Sequence, residues 1–216
     1  MEVGDAVSTD ADPRRRYDGT RRQADAQARQ AKIVEAGRKL FLEKGFGPTS
    51  IGQIAEAAGV SPQTIYATFG SKAGVLARAI DVSVTGDYED VPAFERAPDL
   101  TGVAEFAEHA RFLRALNERV APLIRVMEQA CATDPSLAEL RAALTDRIRA
   151  DCRRWVAQIG QESLRDGLTE AAAADLLTVI ESPIVYSMLT ADCDWTADQY
   201  QQWIADAIPA LLLRRP

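Results

Sequence analysis

The chain has 216 residues, 47% hydrophobic and 26% charged, with a net charge of −7. That is enough apolar material for a real core, and room for a small module joined to a larger body. Three scattered cysteines (Cys131, Cys152 and Cys193), no CxxC pair and a single histidine, His109, argue against a disulfide framework and any familiar zinc site.

The charge is unevenly placed. Residues 13–80 hold 12 Lys/Arg against 5 Asp/Glu, a net +7, whereas residues 81–216 hold 13 Arg against 23 Asp/Glu, a net −10. A basic head on an acidic body can bind nucleic acid locally while the whole stays soluble. The acidic, polar start from Met1 to Asp12 does not read as a signal peptide. No apolar run is expected to reach the ~18 residues that span a bilayer. A cytoplasmic protein with no membrane partner is the expectation.

In chain order, residues 1–27 lack apolar periodicity and carry Arg14-Arg15-Arg16 and Arg21-Arg22. They read as a disordered arginine-containing arm, either inert or reaching a minor groove. Regular structure is expected from about Arg29, with Ile33, Ala36, Leu40 and Phe41 at helical spacing and Gly45 as the stop. Gly37 inside that helix should cost about 1 kcal/mol relative to Ala, tolerable where a neighbouring helix packs close. Ser50 and Gln53 form a capping box for a helix that ends at Gly59. Ser61 and Pro62 then open a short helix to about Ala67, closed by Phe69-Gly70, and Ser71 caps a fourth through Ile80.

The stretch Asp87–Asp99 reads as a connection. Thr101 is a cap for the helix that follows, which Pro122 should break or kink. Asp134-Pro135 opens a long helix with the stripe Leu137, Leu140, Leu144, Ile148, Cys152, Trp155 and Ile159. Thr169 caps a helix kinked at Pro183. Thr196 and Gln199 box the last one, which Pro209 should bend. The fold class is all-α: an N-terminal three-helix helix-turn-helix head (28–72) on a larger helical ligand-binding and dimerisation body (73–216).

Residues 50–66 read as helix, tight turn and short helix. Gly59 supplies the positive φ, and Val60 fills the pinch between the helices. Ile51, Ile54, Ala55, Val60, Ile65 and Phe69 can then bury with Leu40 and Phe41. Gln63, Thr64, Tyr66 and Thr68 are left outside, with amide and hydroxyl groups suited to base edges and phosphates. Ser50 and Ser61 could present helix N-termini to phosphate, and Lys72 is placed for another phosphate.

The segment Ile33–Leu76 resembles the DNA-binding domain of the TetR family. The resemblance rests on Ala36, Leu40-Phe41, Gly45-Phe46, Thr49-Ser50, Ile54-Ala55, Ala58-Gly59-Val60-Ser61, Thr64-Ile65-Tyr66, Phe69 and Ser71-Lys72. It departs at Gly37, at Gly52, which offers no side chain to a base, and at Ala73-Gly74, where an acidic pair is common. The resemblance implies that Gln63, Thr64 and Tyr66 read bases and that Ser50 and Lys72 hold the backbone of double-stranded DNA. It also implies a homodimer, formed through the last two helices, on a palindromic operator. It further implies a pocket for an unknown small-molecule effector, with His109, Phe112, Arg125, Met127, Trp155 and Tyr186 as candidate lining. Leu176, Ile180, Ile184 and Met188 form an apolar face that must be buried somewhere. No phosphate loop, nucleophile elbow, metal site or cofactor motif is found, so no enzyme is expected. The competing reading is a helical small-molecule-binding or protein-interaction module with a weak or vestigial DNA head.

Overall fold

The computed structural model describes residues 13–85 and 103–214, with side chains from Arg22 to Thr85 and from Phe106 to Arg214. The expected arm residues 1–12, the connection Asp87–Asp99 and the cap Thr101 lie outside the described residues. Four helices build the N-terminal part: α1 (Pro13–Lys44), α2 (Ile51–Ala58), α3 (Pro62–Phe69) and α4 (Lys72–Thr85). The body holds α5 (Val103–Ala130), α6 (Pro135–Ile159), α7 (Glu170–Ile180), α8 (Pro183–Ser187) and α9 (Ala197–Leu212). Among the described residues there is no strand, only an isolated bridge between Leu164 and Leu213.

Local chemistry sets most helix ends. Ser50 and Gln53 form a reciprocal box, with Gln53 N–H donating to Ser50 Oγ at 3.2 Å and Ser50 N–H to Gln53 Oε1 at 2.9 Å. Thr196 and Gln199 repeat it at the start of α9. Ser61, Asp134 and Thr169 cap α3, α6 and α7. Each such cap satisfies backbone donors that the first turn leaves unpaired, a contribution of about 1 kcal/mol.

α1 departs from expectation. It begins at Pro13, not near Arg29, so residues 13–27 are helical and not a disordered arm. Residues 21–32 are mostly Arg, Gln and Ala, which cost little to add to a helix already nucleated by the packed segment from Ile33 on. Residues 22–32 are exposed throughout, so this half is held by backbone propagation and not by burial. Pro122 does not end α5 and Pro209 does not end α9. Both helices carry through because flanking residues (Val120, Ala121, Leu123 and Ile124 in α5; Ile208 and Leu212 in α9) are buried. The expected helix over 170–190 is broken at Glu181-Ser182. Ser182 caps α8 with Pro183 at its first position, and a π-turn over Met188–Asp192 follows.

Two apolar cores result. The first joins Ile33, Phe41, Ile54, Ile65, Val75, Leu76 and Ile80 to Val120, Leu123, Ile124 and Met127 of α5 and Leu137 of α6. The second joins Phe106, Ala110 and Leu113 of α5 to Trp155, Val156, Leu177, Tyr200, Ile204 and Ile208. The domain boundary expected at residue 72 therefore coincides with no gap in packing: α4 and half of α5 complete the head's core. Gly37 is explained by that closeness, since a Cβ there would sit 2.6 Å from Val75 Cγ1.

The stretch Glu170–Asp192 is long and apolar enough to cross a membrane by length and composition, contrary to the expectation that no run would be. In this fold it is interrupted at Glu181-Ser182. Ala173, Ala174, Leu177 and Ile180 face the second core, while Val179, Ile184 and Met188 are exposed. Of the four residues expected to form one apolar face, Ile180 is buried inside the protomer, Leu176 is half-buried, and Ile184 and Met188 point outward.

Candidate nucleic-acid interface and buried polar cluster

The head presents α3 on a turn with little freedom. Gly59 is left-handed at φ 67°, and Val60 N–H donates to Ala55 O at 3.0 Å, which closes α2. A left-handed glycine costs no steric strain, whereas a Cβ would. Ile65 is fully buried beneath α3. Its neighbours on the helix are thereby turned outward: Gln63, Tyr66 and Thr68 are exposed and Thr64 half-exposed. Tyr66 leaves 55% of its surface accessible.

The expected DNA-facing residues fall into three groups. Gln63 has no hydrogen-bond partner among the described residues, and Tyr66 points outward, so both are uncommitted. Ser50, Ser61, Thr64 and Thr68 are engaged locally. Ser61 Oγ lies 3.0 Å from Thr64 Oγ1, and Thr68 Oγ1 donates to Thr64 O at 2.8 Å. Their hydroxyl oxygens keep lone pairs, and the caps order the N-termini that a phosphate would approach.

Lys72 stands alone, with its ammonium already engaged inside the head. Its ammonium donates to Phe46 O at 2.7 Å, Thr49 O at 2.8 Å and Gly47 O at 3.4 Å, and sits 4.2 Å from the Phe46 ring centroid. Three carbonyls match the three donors of an ammonium. Lys72 thus clamps the α1–α2 turn from within, and burial lowers its pKa below the ordinary lysine value. Thr49, 1% exposed, ties the same turn by donating to Gly45 O at 2.7 Å. Gly74 serves the same junction: a Cβ there would overlap the Phe69 carbonyl oxygen.

In the body, three of the six expected pocket residues come together and a fourth, Tyr186, packs against the same core. His109 stacks on Trp155 at 4.8 Å and on Phe112 at 6.4 Å, while Tyr186 meets Tyr200 edge-on at 4.8 Å. The other two do not belong. Arg125 is exposed and pairs with Asp192 at 3.2 Å, and Met127 is buried in the head's core. The reason is length: at 1.5 Å per residue they lie about 25 Å along α5 from His109.

The cluster's hub, Glu181, is not apparent from sequence. It sits at the α7–α8 break, 7% exposed. His109 Nε2 donates to its Oε1 at 2.8 Å, Cys152 Sγ lies 3.8 Å from its Oε2, and Asn117 Nδ2 donates to its backbone carbonyl at 3.4 Å. Asn117 also donates to Tyr200 Oη at 3.0 Å, while its own Oδ1 has no partner. Burial, reinforced by Glu181, pushes the Cys152 thiol up to about 12. Burial likewise raises the Tyr200 phenol above its ordinary value. No local motif marks Glu181; its partners lie 29 residues away on α6 and 64 and 72 residues away on α5. Among the described residues, no group of three or more His, Cys, Asp or Glu could hold a metal.

Comparison with known proteins agrees with this geometry. Residues 33–79 match the family described as bacterial regulatory proteins, tetR family. The regulator YdeS of Bacillus subtilis is 31% identical over 161 residues, 73% of this chain and 76% of its own. The crystal structure of NalD, the secondary repressor of the MexAB-OprM multidrug efflux pump in Pseudomonas aeruginosa, shares the fold. It superposes with a TM-score of 0.69 at 22% identity, covering 89% of this chain and all of its own. A SmeT–triclosan complex superposes with a TM-score of 0.65 at 20% identity, covering 87% of this chain and 92% of its own. With its head folded as an intact helix-turn-helix and its relatives sharing both sequence and architecture, the chain belongs to the TetR family of DNA-binding transcriptional regulators.

Proposed function

We propose that the protein is a ligand-responsive repressor that binds a palindromic operator as a homodimer. The observation that carries this reading is the pair of uncommitted side chains, Gln63 and Tyr66, on a capped helix held rigid by a buried Ile65. An amide can bond an adenine edge in the major groove, and a tyrosine can meet a phosphate or a thymine methyl. Gly52 is exposed and side-chain-free, so that position of α2 offers no base contact. So small a contact set needs two copies, about one helical turn of DNA apart. Val179, Ile184 and Met188, exposed on α7 and after it, supply the apolar face that a second copy would cover. NalD, a repressor of the same fold, supports repression.

We assign the effector to the cluster of His109, Phe112, Trp155, Tyr186 and Glu181; that a neighbour of the same fold was solved with triclosan supports small-molecule binding as such. Aromatic faces and a few convergent polar groups are the usual lining of small-molecule sites. The route to DNA runs through α4. Asp81 pairs with Arg147 of α6 at 3.0 Å, and Ser83 O accepts from Arg119 of α5 at 3.2 Å.

Selection of genomic fragments by the purified protein, followed by fluorescence anisotropy, tests the reading. A two-fold symmetric site with salt-sensitive affinity is the expected result. Combined Gln63→Ala and Tyr66→Ala should weaken that binding about tenfold or more without moving the melting midpoint. Enrichment of no symmetric sequence overturns it.

A further inference from the structure

A cleft of about 960 Å³ opens where α1, α4 and α5 meet. One wall comes from the head, with Val34 and Leu42 of α1 and Arg78 and Val82 of α4; the facing wall is α5, with Glu118 and Arg119. Its lining shares no residue with the His109–Glu181 cluster.

Its chemistry is two-sided. Leu42 and Val82 are among the few large apolar side chains left exposed, at 40% and 41%. Both carboxylates on the walls are engaged: Glu35 receives two hydrogen bonds from Arg38, at 2.9 and 3.0 Å, and Glu118 one from Arg114 at 3.0 Å. Arg119 donates to the Ser83 and Ala115 carbonyls. Arg78 has no hydrogen-bond or ion-pair partner among the described residues. A guanidinium beside an apolar floor, with the neighbouring acids already neutralised, complements a molecule carrying one anionic group on an apolar body.

We infer that this head–body cleft is a second regulatory site, one that takes an amphiphilic organic anion and is coupled to operator binding. The anion meets Arg78 and the apolar part lies on Leu42 and Val82. The coupling follows from position. The walls belong to both sides of the head–body junction, so any change in the tilt of α5 against α1 and α4 changes the fit. Linkage then requires operator DNA and occupant to alter each other's affinity by the same factor.

The test uses full-length protein and two fluorescent probes, anilinonaphthalene sulfonate and its neutral analogue N-phenylnaphthylamine. Saturable binding of the sulfonate is expected. Arg78→Gln and Val82→Glu should each weaken it about tenfold or more, with unchanged melting midpoints, and Arg78→Lys should restore most of it. Saturating sulfonate should shift operator affinity in the wild type but not in Arg78→Gln. Equal binding by wild type and both variants overturns the site. So does a neutral probe that binds as tightly as the sulfonate and ignores Arg78. An operator affinity that ignores bound sulfonate overturns the coupling. The binding measurements need no DNA, so a failure of the repressor reading is distinguishable from a failure of this one.

Discussion

Head and body both place polar side chains in the interior, but over different distances along the chain. In the head, Lys72 and Thr49 serve carbonyls 4 to 26 residues away, in the α1–α2 turn and the end of α1. In the body, Glu181, His109 and Asn117 join elements 64 to 83 residues apart. The head is stapled by contacts that span at most 26 residues, whereas the body is tied by longer tertiary bonds across a helix break. Local polar contacts give a presentation surface that is stiff under many conditions. Tertiary contacts at a break give a region whose arrangement can be altered by whatever competes for them.

The largest effect is expected at the hub. Glu181→Ala removes the buried partner of His109 and should lower unfolding free energy by about 3 kcal/mol in urea denaturation. A loss below about 1 kcal/mol would mean that the break at Glu181-Ser182 is held by packing alone. Next, Gly74→Ala should cost about 2 kcal/mol, because the Phe69 carbonyl must move to admit the methyl group. That measurement tests whether the head's junction is as rigid as its hydrogen bonds suggest. Lys72→Met should cost about 1.5 kcal/mol through loss of the carbonyl clamp. It should leave the salt slope of operator binding unchanged; a slope reduced by about one would restore Lys72 to the phosphate backbone. The mildest test is chemical. At pH 8 an aromatic disulfide reagent should titrate Cys193 fast and Cys131 more slowly. Cys152 should react only after denaturation, since its thiol is buried with a pKa of about 12. Early reaction of Cys152 would show that the hub opens readily.

The same contrast explains what could be read before the structure. The Ser50–Gln53 and Thr196–Gln199 boxes, Ser61-Pro62, Asp134-Pro135 and the Gly59 turn were legible because a cap and the backbone donor it serves lie within three residues. The outward set on α3 was legible because burial of Ile65 fixes its helical neighbours. The Lys72 clamp was not legible because its acceptors belong to a turn 23 to 26 residues upstream. Glu181 carries no pattern of its own, and its role exists only once α5, α6 and α7 have assembled. The helical start at Pro13 was missed for a different reason: apolar periodicity reports burial, and residues 22–32 of α1 bury nothing.

α5 has 28 residues, a rod of about 40 Å. Phe106 to Leu113 are set in one core and Val120 to Met127 in the other. A rod gripped at both ends acts as a lever: a rotation of about 5° at the body end carries the head end through about 3.5 Å, the rise of one base pair. In a pair of such protomers, a displacement too small to disturb either core would put the two recognition helices out of step with the groove.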